Sequence, residues 1–178
     1  MLSFLLIKSS FLCNDGGMEK PIIIIGSDHG GFEQKQVLKE WLQKERYQVE
    51  DVGAHSFDPS DDYPQVAFGV AERVVGMESQ ITQPDAIGII ICRSSGGVTI
   101  AANKVQGARA VAIFDEKSAV HAKEHNDANI ITISGDWISA ERAKEIVQVF
   151  LTALYRKDTR HERRIAQIKS FEDEQTVS

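Results

Sequence analysis

The sequence predicts an α/β fold in which a five-stranded parallel sheet is covered by helices on both faces. Two runs, residues 22–25 and 87–91, are apolar and rich in isoleucine, which is typical of strands buried on both faces. Strand-like runs alternate with helical patterns along most of the chain. This alternation favours parallel strands joined by helical crossovers, and 178 residues suit one domain with a full core.

The individual elements follow from the spacing of apolar residues. Strands are predicted at residues 22–25, 47–52, 87–91, 109–114 and 130–134. Short helices are predicted to begin at residue 98 and to cover residues 117–124. In the longer helices, apolar residues recur at helical intervals and should face the core. These stripes are Val37, Leu38, Trp41 and Leu42; Val66, Val70 and Val74; Ala143, Ile146, Val147, Phe150 and Leu154 within residues 140–154; and Ile165 and Ile168 within a tail helix at residues 162–174.

Composition limits the classes of function. The net charge of −6 provides no basic field for nucleic acid or an anionic membrane. Two cysteines, Cys13 and Cys92, form no disulfide framework and fit a reducing cytoplasm. The apolar patch within residues 1–17 is too short for a membrane span and wrongly ordered for a secretory signal. We therefore predict a disordered extension over residues 1–17 and a single domain over residues 18–178.

The most distinctive loop begins at Cys92, directly after an apolar strand, and continues as Arg-Ser-Ser-Gly-Gly. The two glycines allow a sharp turn that leaves backbone N–H groups uncovered. The helix that follows directs its positive end to the same place. Cys92 is thus predicted at the carboxyl edge of the sheet, where open α/β sheets bind ligands. A free cysteine among isoleucines is also commonly an inert buried hydrophobe, and the local pattern leaves both interpretations open.

Two histidine motifs and one basic cluster are further candidates. Asp28 and His29 end the first strand, where Asp28 suits a helix cap and His29 suits a phosphate or sugar oxygen. The motif at residues 125–127 is either a helix C-cap or a site where histidine moves protons near neutral pH. His55 and His121 are predicted at the surface.

The basic cluster is built from Arg160, His161, Arg163 and Arg164 in an otherwise acidic chain. Arg160 and Arg164 are four residues apart and share one face of a helix. The cluster is either a solvated face or a clamp for one phosphate group. The chain has no Cys-x-x-Cys pair, and no metal site is predicted.

Together these motifs resemble ribose-5-phosphate isomerase type B and its relatives that act on allose and galactose 6-phosphates. The resemblance covers about residues 22–171 and is carried by five motifs. They are Gly-Ser-Asp-His-Gly-Gly at 26–31, Asp62-Tyr63-Pro64, Cys92 followed by Ile-Ala-Ala-Asn-Lys at 100–104, His-Asn-Asp at 125–127, and Arg160-His161 with Arg164.

The resemblance implies a Rossmann-like three-layer α/β/α sandwich that forms a homodimer, sometimes a tetramer, with active sites between subunits. It implies an aldose–ketose isomerase that interconverts ribose 5-phosphate and ribulose 5-phosphate in the non-oxidative branch of the pentose phosphate pathway, without cofactor or metal. An isomerase of a six-carbon sugar phosphate and a non-catalytic sugar-phosphate binding protein remain alternatives.

The resemblance also implies a role for each site residue. Cys92 is the base that moves a proton between C1 and C2 of the open-chain sugar, and Ser94 shuttles protons between O1 and O2. His125 opens the sugar ring, assisted by Asp28. The residues expected to bind substrate are Tyr63 in the pocket, the backbone N–H groups of Ser95, Gly96, Gly97, Val98 and Thr99 around the enediolate, Asn126 on sugar oxygens, and His29, Arg160 and Arg164 on the phosphate.

Two positions depart from the family pattern. Arg93 stands where the family often has glycine, and Asp136 stands where many members carry a phosphate-binding arginine. Since an aspartate would repel phosphate, one hypothesis is that Arg93 supplies the missing positive charge. Alternatively, the ligand differs, or Arg93 pairs with a nearby carboxylate.

Overall fold

The computed structural model describes residues 20–78 and 86–176. The predicted disordered extension at residues 1–17 and Cys13 lie outside the described residues. The strands are β1 (Ile22–Ser27), β2 (Val49–Asp51), β3 (Ala86–Cys92), β4 (Ala110–Ala112) and β5 (Ile130–Ser134). They form one sheet in the order β2-β1-β3-β5-β4, and every paired strand is parallel. The predicted five-stranded parallel sheet is therefore confirmed.

Helices cover both faces of this sheet. They are α1 (Phe32–Lys44), α2 (Tyr63–Glu78), α3 (Gly96–Ala102), α4 (Glu116–Asn126), α5 (Ala140–Thr152) and α6 (Thr159–Thr176), with a 3-10 turn at His29–Gly31. One core joins α1, α4 and α5 to one side of the central strands. A second core joins α2 and α3 to the other side. The three-layer α/β/α sandwich is confirmed.

The central strands are buried because isoleucine occupies both of their faces. Every residue of β1, β3 and β5 is buried. Ile23 and Ile25 pack in the core under α1, while Ile22 and Ile24 pack in the core under α2. Alternate side chains of a strand point to opposite faces, so a continuous apolar run is what a doubly covered sheet requires.

Some predicted details are wrong. β2 and β4 have three residues each, because these edge strands pair on one side only. Val37 and Leu154 were expected to face the core but are 37% and 69% exposed; α5 ends before Leu154, whose neighbour Ala153 is extended. Ile168 was expected as a core contact of the tail helix and is 54% exposed.

Lys35 is fully buried in α1 and organises the loop that follows β2. Its ammonium group donates to Asp51 Oδ1 at 2.8 Å and to the carbonyl of Gly53 at 3.0 Å. Lys39 donates to the other oxygen of Asp51 at 2.7 Å. Burial opposes ionisation of Asp51, but the two lysines outweigh it and lower the pKa of this carboxyl. A buried charge is tolerable here because it is paired.

None of the helices within residues 20–78 and 86–176 is long and apolar enough to cross a membrane.

Candidate active site

Cys92 ends β3 at the carboxyl edge of the sheet, as predicted, and is buried. The backbone N–H of Ser95 donates to its sulfur at 3.1 Å. This contact depends on a left-handed turn, because Ser95 has φ +62° and directly precedes α3. The thiol therefore lies within a turn made by Ser95. The turn predicted at Gly96 and Gly97 is wrong, because both glycines belong to α3 and have no positive φ. Ser94 beside the thiol is exposed.

Opposing effects act on the pKa of the Cys92 thiol. Burial raises the pKa of the thiol, and the negative charge of Asp28 acts in the same direction. Backbone N–H groups of Ser95, Ser94 and Val98 lower it, but burial outweighs them, so the net pKa of Cys92 is raised. The amide donors predicted at this loop are present, yet they do not make a thiolate by themselves in the free chain.

Asp28 begins the loop after β1 and has a capping role. Its Oδ1 accepts from the N–H of Gly31 at 3.2 Å, so the interpretation as a cap is confirmed. Burial raises the pKa of Asp28. Gly31 packs directly on the carbonyl of Ile91, where a Cβ would overlap the backbone of β3. This close approach brings the loop after β1 against the loop that begins at Cys92.

His29 is fixed by Asp61, a residue that the motif analysis did not assign. Asp61 Oδ1 accepts from the His29 backbone N–H at 3.0 Å and lies 2.6 Å from Nδ1. This hydrogen bond raises the pKa of His29 and requires a proton on Nδ1, so Nε2 is the ring nitrogen that Asp61 does not occupy. Only the adjacency of Asp61 to the Asp-Tyr-Pro motif could have indicated this role.

Tyr63 begins α2 and lies over the glycine turn. A Cβ on Gly97 would lie 2.7 Å from the Tyr63 ring, so glycine is needed for this contact. The ring remains 40% exposed. Gly96 is exposed, Gly97 and Thr99 are half-buried, and Val98 is buried in the α2–α3 core. Tyr63 thus forms one wall of the space in front of Cys92.

Arg93 and Asp136, the two departures from the family pattern, form a pair. Arg93 Nε lies 3.2 Å from Asp136 Oδ2, and the side chains are 67% and 42% exposed. The Asp136 N–H also donates to the Arg93 carbonyl at 3.1 Å. The Arg93 side chain packs over Gly30, where a Cβ would overlap it. Its positive charge lowers the pKa of His29 against the effect of Asp61, so the two groups are near enough to interact.

The remaining predicted residues form a second cluster. His125, Asn126, Arg160 and Arg164 line a cavity of about 420 Å³. His125 is half-buried, while Asn126 and both arginines are exposed. α6 contains Arg160 and Arg164, so their four-residue spacing places them on one face as predicted. The 125–127 motif does contain the C-cap of α4, which is its last residue, Asp127, with a left-handed φ of 44°.

Three histidines stack in this second cluster. The ring centroid of His125 lies 4.6 Å from that of His121 and 4.6 Å from that of His161. Desolvation, followed by the positive charges that His121 and His161 can carry, lowers the pKa of His125, which favours a neutral imidazole at pH 7. His121 was predicted as an isolated surface residue, and it is exposed but in contact. His161 is 4% exposed, unlike the arginines around it.

His121 and His125 have a His-x-x-x-His spacing that metal sites use. Their rings stack face to face at an interplanar angle of 24°. In the part of the chain that the structure describes, no group of three or more His, Cys, Asp or Glu side chains could hold a metal ion.

The Cys92 cluster and the His125 cluster lie at opposite ends of the parallel strands. β3 pairs with β5 from Gly88 opposite Ile130 to Cys92 opposite Ser134, and His125 and Asn126 precede β5. Four residues of parallel strand span about 13 Å, and residues 127–129 separate Asn126 from the first residue of β5, so His125 is near the end of the strands opposite Cys92. One chain therefore contains Cys92 and His125 in two separate clusters.

The amino-acid sequence is similar to that of proteins with a known family. The profile of the ribose/galactose isomerase family matches residues 23–168. Ribose-5-phosphate isomerase B of Mycolicibacterium paratuberculosis is 39% identical over 150 residues, which cover 84% of this chain and 91% of that protein.

Two solved structures extend the comparison to the fold. Ribose-5-phosphate isomerase B from Mycoplasma genitalium with bound ribulose-5-phosphate superposes with a TM-score of 0.81 at 37% identity, covering 89% of this chain and 99% of that one. Ribose-5-phosphate isomerase B from Clostridium thermocellum superposes with a TM-score of 0.78 at 38% identity, covering 85% and 97%. Given the profile match, the sequence identity and the shared fold, this chain belongs to the ribose/galactose isomerase family.

Proposed function

We propose that this protein interconverts ribose 5-phosphate and ribulose 5-phosphate by proton transfer through an enediolate. The observation that carries the proposal is the Cys92 thiol at the carboxyl edge of the sheet, held by the Ser95 N–H at 3.1 Å. Abstracting a proton beside a carbonyl creates an oxyanion, and preorganised amide donors lower that barrier. The relative from Mycoplasma genitalium, whose structure contains ribulose-5-phosphate, supports the choice of substrate.

In this proposal the residues around Cys92 divide the chemistry. The thiolate of Cys92 removes the proton from one carbon and returns it to the other, and Ser94 moves protons between O1 and O2. The N–H groups of Gly96, Gly97 and Val98 are assigned to the enediolate. The N–H of Thr99, also expected there, donates to the Ser95 carbonyl at 3.1 Å, and that of Ser95 donates to the sulfur. The raised pKa of the free thiol implies that ionisation of Cys92 accompanies substrate binding or occurs in a minor fraction of the free protein.

The phosphate end of the substrate is assigned to cationic groups. His29, whose pKa is raised by the bond to Asp61, and the guanidinium of Arg93 are assigned to the phosphate from one chain. Arg160 and Arg164 are assigned to the same phosphate from a second chain. Anchoring a phosphate remote from the reacting carbons orients those carbons for proton transfer.

We propose a homodimer in which each active site combines Cys92 of one chain with His125 of another. The support is the position of the two clusters, here called half-sites, at opposite ends of the strands of one sheet, which keeps them apart within a chain. A two-fold dimer that brings the Cys92 half-site of each chain to the His125 half-site of the other completes two equivalent sites. His125, neutral at pH 7, then opens the sugar ring with Asp28, and Asn126 binds sugar oxygens.

Apolar side chains on the helices next to the half-sites support this assembly. Ile100 of α3 is 65% exposed, and Ile168 and Phe171 of α6 are 54% and 63% exposed. Exposed apolar residues grouped beside a functional site mark protein–protein contacts. The cytoplasm is proposed as the location because the described cysteine, Cys92, is a free thiol.

Activity on a panel of five- and six-carbon aldose phosphates tests the reaction and its substrate. We expect conversion of ribose 5-phosphate and weaker conversion of allose 6-phosphate. Preference for a six-carbon sugar would reassign the substrate, and conversion of none would favour a binding protein. Cys92→Ala should abolish turnover while leaving ribose 5-phosphate binding nearly unchanged.

Mixing two inactive variants tests the shared site. Cys92→Ala and His125→Asn should each be nearly inactive alone. After subunit exchange, half of the dimers are mixed, and one of their two sites is intact, so about a quarter of wild-type activity should return. Absence of any recovery, with exchange verified by native mass spectrometry, would show that the two residues do not act in one intersubunit site.

A further inference from the structure

Two threonine hydroxyls lie beneath the Cys92 loop. Thr99 of α3 donates through Oγ1 to the Ser95 carbonyl at 2.7 Å. The same oxygen lies 2.6 Å from Oγ1 of Thr132 on β5. Since the Thr99 proton is directed to Ser95, Thr132 is the donor in the second bond. A chain of hydrogen bonds therefore runs from the buried centre of the sheet to the turn at Ser95.

The turn at Ser95 needs external support. Its φ of +62° is a left-handed conformation that costs a residue with a Cβ. Its hydroxyl is buried and has no hydrogen-bond partner among the described residues, which adds a second cost. Backbone conformations of this kind persist only where neighbouring structure holds them.

The bond donated by Thr99 is a common one in helices, whereas the bond from Thr132 is unusual. A threonine that donates to the carbonyl four residues earlier, as Thr99 does, is common in helices. Thr132 is different, because it lies on a fully buried strand among isoleucines, where valine would pack equally well. Its hydroxyl is satisfied by Thr99 of another element, and this bond connects α3, which follows the Ser95 turn, to the central sheet.

We propose that Thr132 and Thr99 are positioning residues that hold the Ser95 turn, so that the Ser95 N–H stays on the Cys92 sulfur. This inference rests on the proposed role of Cys92 as the base. The Thr99 hydroxyl takes no direct part in the chemistry. It donates to the carbonyl of the peptide whose N–H belongs to Gly96, and this bond makes that N–H a better donor to the enediolate. Both effects act on the loop that surrounds the sulfur.

The test compares Thr132→Val with Thr132→Ser and Thr152→Val. Valine keeps the shape of residue 132 and removes its hydroxyl, and serine restores the hydroxyl. Thr152 is the matched control, because its hydroxyl bonds only carbonyls of its own helix in the described structure, at 2.9 and 3.1 Å. Alkylation of the Cys92 peptide by iodoacetamide, followed by mass spectrometry across pH, measures the ionisation of the thiol.

In Thr132→Val the alkylation midpoint should rise by about half to one pH unit, the size expected when one hydrogen bond to a thiolate weakens. kcat at pH 7 should fall about three- to tenfold with KM nearly unchanged, because fewer thiolates are present. Thr132→Ser and Thr152→Val should keep the wild-type midpoint. Asp28, the charged group that faces the thiol from the end of β1, is retained in every variant.

A lower melting temperature with an unchanged alkylation midpoint would overturn the proposal, because it would show a structural role alone. If Thr132→Val does not yield folded protein, Thr99→Ala on half-buried α3 removes the same chain of bonds and should shift the midpoint likewise. Alkylation needs no turnover. A wild-type protein without isomerase activity would therefore refute the proposed function and leave this test of the turn intact.

Discussion

The Arg93–Asp136 pair offers a quantitative test of phosphate binding. The two side chains lie 3.2 Å apart at Nε and Oδ2 and are 67% and 42% exposed. Exposed pairs contribute about 0–1 kcal/mol to stability, so removing either charge should leave the fold intact. Arg93→Met is the informative change, because it keeps an aliphatic stem over Gly30 and removes only the guanidinium.

The expected magnitude follows from what the guanidinium would lose. A charge-assisted hydrogen bond to phosphate is worth about 1.5–3 kcal/mol, and Arg93→Met should therefore raise KM for ribose 5-phosphate roughly ten- to a hundredfold. Asp136→Arg should be mild or helpful, because it removes a repulsive carboxylate and adds a cation. The double variant should recover much of the binding, so the two effects should not add.

The assay is a double-mutant cycle on KM, with urea unfolding of each variant as a control for stability. Two results would refute the reasoning: a KM for Arg93→Met within about twofold of wild type, or a double variant whose KM change is the sum of the single changes. Either result would mean that Arg93 serves the surface pair with Asp136 and that phosphate is held by other cations.

Three further predictions follow from the described contacts. Asp61→Asn should lower the pKa of His29, because the Asp61 carboxylate raises it in the wild type. The imidazolium is then lost at lower pH, so KM should begin to rise at lower pH than in wild type, and identical KM–pH profiles would contradict this. His125→Asn should slow turnover of the ring-closed sugar far more than that of an open-chain substrate, and equal losses would exclude ring opening. Lys35→Met should lower the free energy of unfolding by about 3 kcal/mol because it removes a cation from a buried ion pair. Glu50→Gln, which breaks the exposed ion pair with Arg73, should cost under about 1 kcal/mol, and similar urea midpoints for the two variants would refute the assignment.

The sequence by itself determined the order of strands and helices and the chemistry of the loops. The isoleucine runs of β1 and β3 identify doubly buried strands because their side chains have no polar face to expose. The position of Cys92 followed from the same local logic, since the apolar run ends at this residue and a polar Arg-Ser-Ser segment follows it. These features depend on residues close together in the chain, so the spacing of apolar and polar residues along the sequence predicts them.

Only the tertiary structure decided which of these residues meet. The pairing of β3 with β1 on one side and with β5 on the other makes the loop after β1 a neighbour of the loop at Cys92, and no spacing along the chain encodes which strands are neighbours. The bonds of His29 to Asp61 and of Thr99 to Thr132 span 32 and 33 residues, and they arise because separate elements pack together. Contacts of this range depend on the whole fold, because the side chains meet only after the sheet has brought distant segments into register.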